Sequence, residues 1–395
     1  MIRDRHITPI NIKIMVPKIV FLPVDNGDMT LIELESGKTI LIDVNIRESA
    51  DDPKKEPPDV ASMLRNRLKK DGRDRLYIDT FVLSHPDQDH CRGITKHFHL
   101  GKPEDCPSDK ILIRELWSSP MVFRRASRDW TVSEDAKAFR LEAKRRVQHF
   151  RDNGVSNDGN RILIMGEDEN GKTEDLAPIL IKVDEQITTV NGAVDRSMTA
   201  YLLGPLPKSE DIRDEDVLTK NRSSVILQFS IRSGNKADAC LFLTGGDAEV
   251  AIWEKLWSKH KNTDRLKYHV LQTPHHCSWH SISYESWSKK GGEANISQNA
   301  LNALSQAESG GIIVASCKPI QDNDSDPPCI GAKHYYEKIT KHVVGTFKCT
   351  GEHPNTNTPD ILEIEITSNG PRMSTCFAVP LGSSGAIGRQ PLAHG

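Results

Sequence analysis

Short apolar runs, each about the length of a β-strand, recur along most of the chain and are separated by polar turns. The first three runs cover residues 18–22, 29–34 and 39–44. The turns between them contain Asn26-Gly27-Asp28 and Ser36-Gly37-Lys38, which are residue types that favour tight connections. This pattern predicts an antiparallel opening to the fold.

Later apolar runs continue the pattern and alternate with helical periodicity in the second half of the chain. Further strands are predicted at 77–83, 161–165, 178–183, 199–203, 224–231, 239–243, 268–272, 312–316 and 361–366. Helices are predicted at 60–70, 248–259 and 297–307, with one more inside 101–160. Alternating strands and helices are typical of the α/β class, which we therefore expect.

The densest polar cluster directly follows the predicted strand 77–83, where four metal-ligand side chains fall within six residues. They are His85, Asp87, Asp89 and His90. Functional side chains are often carried by loops at the ends of rigid strands, and a helix cap would need only one of these four. Imidazole together with carboxylate suits a borderline or hard divalent ion. The cluster therefore predicts a metal site, in which adjacent Asp89 and His90 point apart and could serve two ions.

Two further predicted strands end in residues of the same chemistry. The run 239–243 leads through Gly245-Gly246 to Asp247, and the run 268–272 leads through Pro274 to His275 and His276. A lone Gly-Gly-Asp turn is usually only a turn. Three strand ends that all carry metal-ligand side chains indicate one shared site.

The composition is that of an ordinary globular protein. Charged residues make up 27% of the 395 residues, and the formal net charge is −3, which argues against a globally basic nucleic-acid-binding protein. The longest apolar stretches are only strand-sized, so we expect no membrane span, and no apolar leader follows the first residues. We therefore expect a cytoplasmic protein with no membrane partner, while its protein partners are left open.

Eight cysteines are scattered along the chain without a Cys-x-x-Cys pair. Neither a disulfide framework nor a structural zinc finger is therefore indicated. Cys91 and Cys277 directly follow proposed ligands, and for both we favour a packing role over a metal or redox role.

One local basic segment runs from Arg124 to Arg151. Ser133 is placed to cap the helix that carries most of it, and basic residues recur there at three- and four-residue steps. Arg140, Lys144 and Arg145 are candidates for contacts with substrate phosphates. The solvated face of an inserted helix is the alternative, and the sequence leaves both open.

The three ligand motifs together resemble the metallo-β-lactamase fold, and within it the soluble hydrolase domain of the DNA-uptake channel ComEC. The matching patterns are His-x-Asp-x-Asp-His at 85–90, Thr-Gly-Gly-Asp-Ala-Glu at 244–249 and Pro-His-His-x-Ser at 274–278. Residues 24–28, 39–43, 221–227 and 311–316 add weaker matches, so the resemblance covers roughly residues 17–370. It implies an αββα sandwich with two packed mixed β-sheets and outer helices.

The resemblance also implies how the ligands are shared between two divalent ions, either zinc or manganese. Each half of the first motif would hold one ion, and Asp247 would bridge the two. One of His275 and His276 would complete a shell, and which of them does so is left open. The two halves are His85 with Asp87 and Asp89 with His90.

The sequence departs from the family's pattern at four places. Cys277 and Asn45 stand where the family has glycine, and Asp326 stands where a related motif has histidine. The extra histidine ligand of many lactamase-fold hydrolases has only His149 as a candidate match. Such a shell is poorer in nitrogen, which favours manganese or mixed occupancy over zinc alone.

The function implied by the resemblance is that of a metal-dependent hydrolase. A phosphodiesterase or nuclease that uses a hydroxide shared by two divalent ions, with a nucleic acid or nucleotide as substrate, is the first expectation. A hydrolase of a small ester, lactam or cyclic nucleotide is the alternative within the fold. A non-catalytic binding module is a third hypothesis.

Roles for individual residues follow from the same resemblance. Asp89, Asp247, His276 and His280 are the catalytic candidates. The unliganded member of His275 and His276, or else His280, would orient the substrate or protonate the leaving oxygen. The further candidates for substrate binding, besides the basic helix, are Asn221, Lys318, Asp326 and His334.

The domain organisation expected from these features is a single hydrolase domain at 17–370 with an insertion at about 101–160. A lead-in at 1–16 precedes it. A flexible tail at 371–395, rich in glycine, serine and alanine, follows it.

Overall fold

The protein is mixed α/β in a computed structural model that describes residues 15–51, 58–123, 133–154, 156–167, 171–206 and 223–374. Its strands are Lys18–Phe21 (β1), Thr30–Glu33 (β2), Thr39–Ile42 (β3), Val44–Asn45 (β4), Lys69–Lys70 (β5), Leu76–Leu83 (β6), Phe98–His99 (β7), Ile111–Ser118 (β8), Arg161–Met165 (β9), Leu180–Ile181 (β10), Gln186–Ile187 (β11), Thr189–Val190 (β12), Ala193–Val194 (β13), Met198–Gly204 (β14), Ile226–Ser233 (β15), Lys236–Thr244 (β16), Tyr268–Gln272 (β17), Ala307–Ala315 (β18), Thr346–Cys349 (β19), Leu362–Thr367 (β20) and Gly370–Met373 (β21).

The α-helices of the described residues lie between these strands. They are Val60–Arg65 (α1), Gln88–Cys91 (α2), Ile94–His97 (α3), Glu134–Asn153 (α4), Val250–His260 (α5), Trp287–Lys290 (α6), Gln298–Leu304 (α7) and Ile330–His342 (α8). Short 3-10 turns cover Glu48–Asp51, Pro103–Asp105, Pro120–Phe123, Glu174–Ile179, Pro274–Cys277, Trp279–Ser281, Gly291–Glu293 and Thr350–Glu352.

The strands form two large mixed sheets. The first runs in the order β10-β9-β8-β6-β3-β2-β1-β20-β21, with β5 and β7 added beside β6 and β8. The second runs in the order β11-β14-β15-β16-β17-β18-β19, and β12 and β13 form a separate ribbon. Strands β3, β6, β8 and β9 are parallel neighbours, as are β16 to β19. Parallel neighbours bring their carboxyl ends to one edge of each sheet.

One apolar layer joins the two sheets, and helices cover their outer faces. The layer between the sheets contains buried side chains of β1 to β3 together with side chains of β14 to β18. Phe21 and Phe242 meet across it edge to face, with ring centroids 6.0 Å apart. A second apolar cluster packs α1 and α4 on the first sheet, and a third packs α5, α7 and α8 on the second.

Most predicted elements are present, with differences at their ends and inside the expected insertion. Strands 161–165 and 268–272 have their predicted bounds, and Ser133 caps α4 by accepting a hydrogen bond from Ala136 N–H. The predicted helix 60–70 ends at Arg65. The last strand, β21, ends at Met373, three residues beyond position 370, where the domain was predicted to end. The region 101–160 contributes β8, which pairs with both β6 and β9 near the middle of the first sheet.

Several described elements were not predicted, among them β8, α8 and β19. Within the described residues, no helix combines the length and apolar character that crossing a membrane requires.

Candidate metal centre

The three ligand motifs lie at neighbouring ends of the two sheets. His85 and Asp87 lie in the loop after β6, and the short helix α2 carries the rest of the first motif. Two backbone bonds tie the loops together: Val225 N–H donates to the Ser84 carbonyl at 2.7 Å, and His275 N–H donates to the Gly246 carbonyl at 2.9 Å. The predicted convergence of the three motifs is therefore present in the structure.

Asp247 lies at the centre of the cluster, and each of its oxygens faces two different imidazoles. Its Oδ1 lies 2.9 Å from Nε2 of His90 and 3.5 Å from Nε2 of His276. Its Oδ2 lies 3.7 Å from Nε2 of both His85 and His275. A carboxylate that presents its two oxygens to two separate donor sets has the arrangement of a bridging ligand.

The other two carboxylates of the motif extend these two donor sets. Asp87 Oδ2 lies 3.2 Å from Nε2 of His85, and Asp89 Oδ2 lies 3.4 Å from Nε2 of His276. One set is thus His85, Asp87 and His275, and the other is Asp89, His90 and His276. In the second set, ligand atoms from Asp89, His90, Asp247 and His276 all lie within 4.8 Å of one another.

Three of the four imidazoles have a further carboxylate behind the opposite ring nitrogen. Asp43 Oδ2 lies 2.7 Å from Nδ1 of His90. Asp28 Oδ1 lies 3.3 Å from Nδ1 of His276, and Glu249 Oε1 lies 4.0 Å from Nδ1 of His275. A carboxylate that is hydrogen-bonded to Nδ1, as Asp43 is to His90, holds the proton on that nitrogen and leaves Nε2 to bind a metal. Nδ1 of His275 and Nδ1 of His276 have no hydrogen-bond partner among the described residues. In the sequence, Asp28 and Asp43 were noted only as parts of segments 24–28 and 39–43, which resemble the family's opening hairpins. Their position beside the ligand histidines was therefore not predicted.

Asp43 is itself held in place by a fixed local structure. It is fully buried in a left-handed backbone conformation (φ 57°). Ser84 N–H donates to Asp43 Oδ1 at 2.7 Å, and the Ser84 hydroxyl donates to Oδ2. A carboxylate fixed by two donors can orient the imidazole beside it.

The residues present fit a bound divalent cation. Both ring nitrogens of His85, Nε2 of His90 and His276, and Oδ1 of Asp247 are buried and have no hydrogen-bond partner among the described residues. Buried polar atoms without partners are rare in folded proteins, and an ion is one explanation. The donors are imidazole nitrogen and carboxylate oxygen, both of which are metal-binding groups. These residues could therefore hold a metal ion.

The electrostatics of the cluster favour positive charge on the imidazoles of His276 and His90, whereas burial lowers the pKa of His275. Burial alone would lower the pKa of His276, but the charges of Asp247 and Asp28 raise that pKa to about 10. The pKa of His90 is raised in the same way, against burial, by Asp247 and Asp43. Burial would raise the pKa of Asp247, yet the surrounding histidines hold it well below its usual range. The field that produces these shifts also attracts a cation.

Backbone strain is concentrated in the histidine turn. His275, His276 and Cys277 have φ values of 51°, 51° and 69°. The left-handed region costs a non-glycine residue roughly 1–2 kcal/mol, and strain of this kind gathers at functional sites where the surrounding structure imposes it. In this turn Nε2 of each imidazole lies within 4 Å of Asp247, and His276 also belongs to the group of described residues that could hold a metal ion.

The two expected departures at glycine positions have local explanations. Asn45 donates from Nδ2 to the carbonyls of Asn26, at 2.9 Å, and of Val24, at 3.3 Å, and so fastens the loop that carries Asp28. Gly27 lies so close to this amide that a Cβ would approach Asn45 Nδ2 to 2.0 Å. Cys277 is fully buried, and burial raises the pKa of its thiol well above the usual range, as befits a packing role.

The predicted substrate-binding residues outside the basic helix do not lie together in one group. Asp326 accepts a hydrogen bond from Trp279 N–H at 3.0 Å, and its Oδ2 lies 3.9 Å from Nε2 of His280. Lys318 is exposed, and its backbone N–H donates to Asn26 Oδ1 at 3.1 Å. His334 is exposed on α8. Asn221 lies outside the described residues.

Part of the positive charge on the basic helix α4 is bound by other residues of the protein. Arg145 binds both oxygens of Glu142 at 2.8 and 2.7 Å, and Asn160 Oδ1 at 2.7 Å. Arg146 is buried and bonds to Glu142 and to the Ile113 carbonyl. Lys144 is exposed and Arg140 is partly exposed. His149 Nδ1 lies 3.4 Å from Asn153 Nδ2 within this helix, and it is absent from the groups that could hold a metal among the described residues.

Comparison of the chain with models of known protein families returned no match, and a search of curated proteins returned no similar sequence.

Proposed function

We propose that this protein is a metal-dependent hydrolase of the metallo-β-lactamase fold, acting on phosphodiesters. The observation that carries the proposal is the position of Asp247, whose two oxygens face two separate sets of imidazole and carboxylate donors. The order of layers supports the αββα assignment, since both sheets share one apolar core and carry helices on their outer faces. The resemblance of the three motifs supports the family.

The chain's own residues would divide the work as follows. His85, Asp87 and His275 would hold one divalent ion, Asp89, His90 and His276 the other, and Asp247 would fix their separation. Asp43 would orient the imidazole of His90. When bound, two divalent ions supply a water of lowered pKa and neutralise charge that develops on a phosphoryl group. Phosphodiesters gain most from that combination, because their oxygens already carry negative charge.

Metal content and hydrolysis test the proposal together. After loading with zinc or manganese and dialysis, elemental analysis is expected to show up to two ions per chain. The double variant Asp87→Ala, Asp89→Ala should lose most of them, whereas Asp109→Asn, a change at an exposed carboxylate, should lose none.

Turnover of bis(p-nitrophenyl) phosphate by the loaded protein is the second measurement. Asp247→Asn should abolish turnover more completely than it abolishes metal binding, because a bridging carboxylate sets the spacing of the ions. Absence of bound transition metal in the wild type, or wild-type turnover by Asp247→Asn, would remove the proposal.

A further inference from the structure

Two buried thiols meet where strands β18 and β19 end, at positions that hold none of the proposed metal ligands. Sγ of Cys317 lies 3.5 Å from Sγ of Cys349, and both side chains are buried. The S–S bond of a disulfide is about 2.0 Å long, so the two sulfurs would have to approach by about 1.5 Å to form one. Rotation of the two side chains with a small shift of the backbone can supply that approach.

Backbone contacts hold the two chain segments side by side at this place. The strands are parallel, with Ala315 paired to Cys349. Just beyond this pair, Cys317 N–H donates to Thr350 Oγ1 at 3.2 Å, and Gly351 N–H donates to the Cys317 carbonyl at 3.0 Å. Groups held in contact react with each other far more readily than with the same group free in solution. Oxidation of either thiol is therefore expected to lead to the other.

The surroundings of Cys317 determine how readily the pair reacts. Lys318, the next residue along the chain, is exposed, so Cys317 lies close to the surface in sequence. Burial and the neighbouring Cys349 thiol raise the pKa of Cys317 well above the usual range. A thiol that stays protonated is a slow nucleophile. We therefore expect the pair to remain reduced under mild conditions and to oxidise under sustained exposure to a small oxidant.

The segment that carries Cys317 also binds the loop that precedes Asp28. The Ser316 hydroxyl donates to the Gly27 carbonyl at 2.7 Å. On the other side, Lys318 N–H donates to Asn26 Oδ1 at 3.1 Å. Both chain neighbours of Cys317 are thus attached to this loop, which has to follow when the cysteine moves.

The same loop contacts two of the proposed metal ligands through Asp28. Its backbone N–H donates to the Asp89 carbonyl at 3.3 Å. Its Oδ1 lies 3.3 Å from Nδ1 of His276. Movement of Cys317 toward Cys349 is therefore transmitted to one of the two donor sets around Asp247.

We propose that Cys317 and Cys349 are oxidised reversibly to a disulfide and that this modification weakens metal binding. The effect on the metal centre rests on the proposed function, whereas the disulfide itself does not. The oxidant is a hydroperoxide. A disulfide here would also remove the hydrogen bonds, both 3.4 Å long, that Cys349 Sγ donates to the carbonyls of Cys317 and Lys318.

The reaction with hydrogen peroxide proceeds in two steps. The sulfur of one cysteine attacks a peroxide oxygen, the O–O bond breaks, and a sulfenic acid and one water form. The second sulfur then attacks the sulfenic sulfur, the S–S bond forms, and the oxygen leaves with the thiol proton as a second water. The two cysteines lose two electrons and two protons, which the peroxide gains. A dithiol reductant reverses the change and becomes a disulfide itself.

Peptide mapping tests the site of modification. The metal-free protein is treated with hydrogen peroxide, its remaining thiols are blocked with iodoacetamide, and it is digested with trypsin without a reductant. Trypsin cuts after Lys318 and Lys348, so Cys317 and Cys349 fall into different peptides. Mass spectrometry is expected to find these two peptides joined, and to find them separate after dithiothreitol.

Metal affinity tests the consequence. Competition of the protein with a chromogenic chelator for zinc is measured in the reduced, oxidised and re-reduced states. The oxidised protein should bind at least about tenfold more weakly, as for other changes to residues that support metal ligands, and dithiothreitol should restore the affinity. Cys349→Ser should keep its affinity after peroxide treatment. Cys106→Ser, at another buried cysteine, is the matched control and should respond as the wild type does.

Absence of the joined peptides, or a link from either cysteine to a different one, would overturn the modification site. Unchanged affinity in the oxidised wild type would overturn its effect on the metal centre, and so would an equal loss of affinity in Cys349→Ser. A reduced wild type that binds no metal would remove the proposed function, while the peptide map would still decide whether the disulfide forms.

Discussion

Asp43 Oδ2 lies 2.7 Å from Nδ1 of His90, on the opposite side of the ring from Asp247. The contact joins the end of β3 to the helix after β6, and both residues are completely buried. It fixes which nitrogen of His90 faces the cluster. A residue from an early hairpin thus governs a ligand that lies 47 positions further along the chain.

Asp43→Asn is expected to weaken metal binding without removing a ligand. The amide cannot accept from both Ser84 and His90 with the strength of a carboxylate, so His90 loses its fixed tautomer. Loss of such an outer carboxylate typically costs 10- to 100-fold in metal affinity, which competition with a chromogenic chelator would measure. Asp109→Asn is the control, and an unchanged affinity in Asp43→Asn would contradict the orienting role.

Gly27→Ala is expected to disturb the metal centre through the loop that carries Asp28. A Cβ there would lie 2.0 Å from Asn45 Nδ2 and 2.7 Å from the Asp89 carbonyl, and φ at this position is 150°. Since the Asp89 carbonyl is backbone, the segment carrying Asp89 has to move. We expect at least a tenfold loss of affinity for one ion, in line with other disturbances around metal ligands.

Two comparisons check this explanation. Gly72→Ala should change nothing, because no atom lies within 4 Å of the added methyl group. Adding Asn45→Gly to Gly27→Ala removes one clash and leaves the other, so it should restore the affinity only in part. Full affinity in Gly27→Ala alone would contradict the close approach.

The sequence predicted the location of the ligands better than it predicted their supports. His85, Asp247 and His276 all follow strands that are mainly apolar and β-branched, although Asp79 interrupts the first and His269 the third. Each strand and its end are therefore still visible in the pattern. The contact between Asp28 and His276 joins residues 248 positions apart. No local periodicity encodes a contact of that length, which depends on how the two sheets pack.

The missed strand β8 has a different cause. Its apolar run is interrupted by Arg114 and Glu115, which a local pattern takes for a surface segment. In the fold, Arg114 bonds to Asp79 at 3.0 Å, and Glu115 accepts from the Trp117 indole at 3.0 Å. These polar groups are satisfied by neighbouring side chains, so the strand can lie near the middle of the first sheet.

The missed helix α8 has an unfavourable sequence at its start. Gly331 is a poor helix former, yet a Cβ at this position would lie 2.4 Å from the ring of Trp287. Packing against Trp287 therefore requires a glycine at this position, although glycine lowers the helix propensity of the segment.

Acid sensitivity is expected from an ion-pair network on the first sheet. Glu363 of β20 bonds to Lys18 at 2.7 Å and also pairs with Arg67. Burial would raise the pKa of Glu363, but these two partners hold it below the usual value for a glutamate. A carboxyl group whose pKa is lower in the folded protein than in the unfolded chain stabilises the fold at pH values above its unfolded-state pKa. That stability is lost as the pH falls through the folded-state pKa of the group.

Glu363→Gln should therefore reduce the free energy of unfolding at about pH 7 by roughly 1–2 kcal/mol. The difference from the wild type should be smaller at about pH 3 than at about pH 7, because the stability contributed by a lowered carboxyl pKa is lost progressively as the pH falls. Urea unfolding at both pH values measures this. Glu167→Gln, in an exposed pair with Lys182, is the control and should change little. An equal difference at both pH values would show that the charge is not responsible.

The basic helix provides the last prediction, which concerns polyanionic substrates. Reversal of Arg145 is unsuitable as a probe, because its guanidinium binds Glu142 and Asn160 and its loss should lower the melting temperature. Arg140→Glu with Lys144→Glu is the better variant. If α4 guides single-stranded DNA, two lost phosphate contacts should raise KM at low salt and reduce the slope of log affinity against log salt by about 1.4.

The KM for bis(p-nitrophenyl) phosphate should stay unchanged, because a small diester needs no guidance by a distant charge. Equal increases in both KM values would indicate damage to the fold, and no increase for DNA would show that α4 contributes nothing to substrate capture.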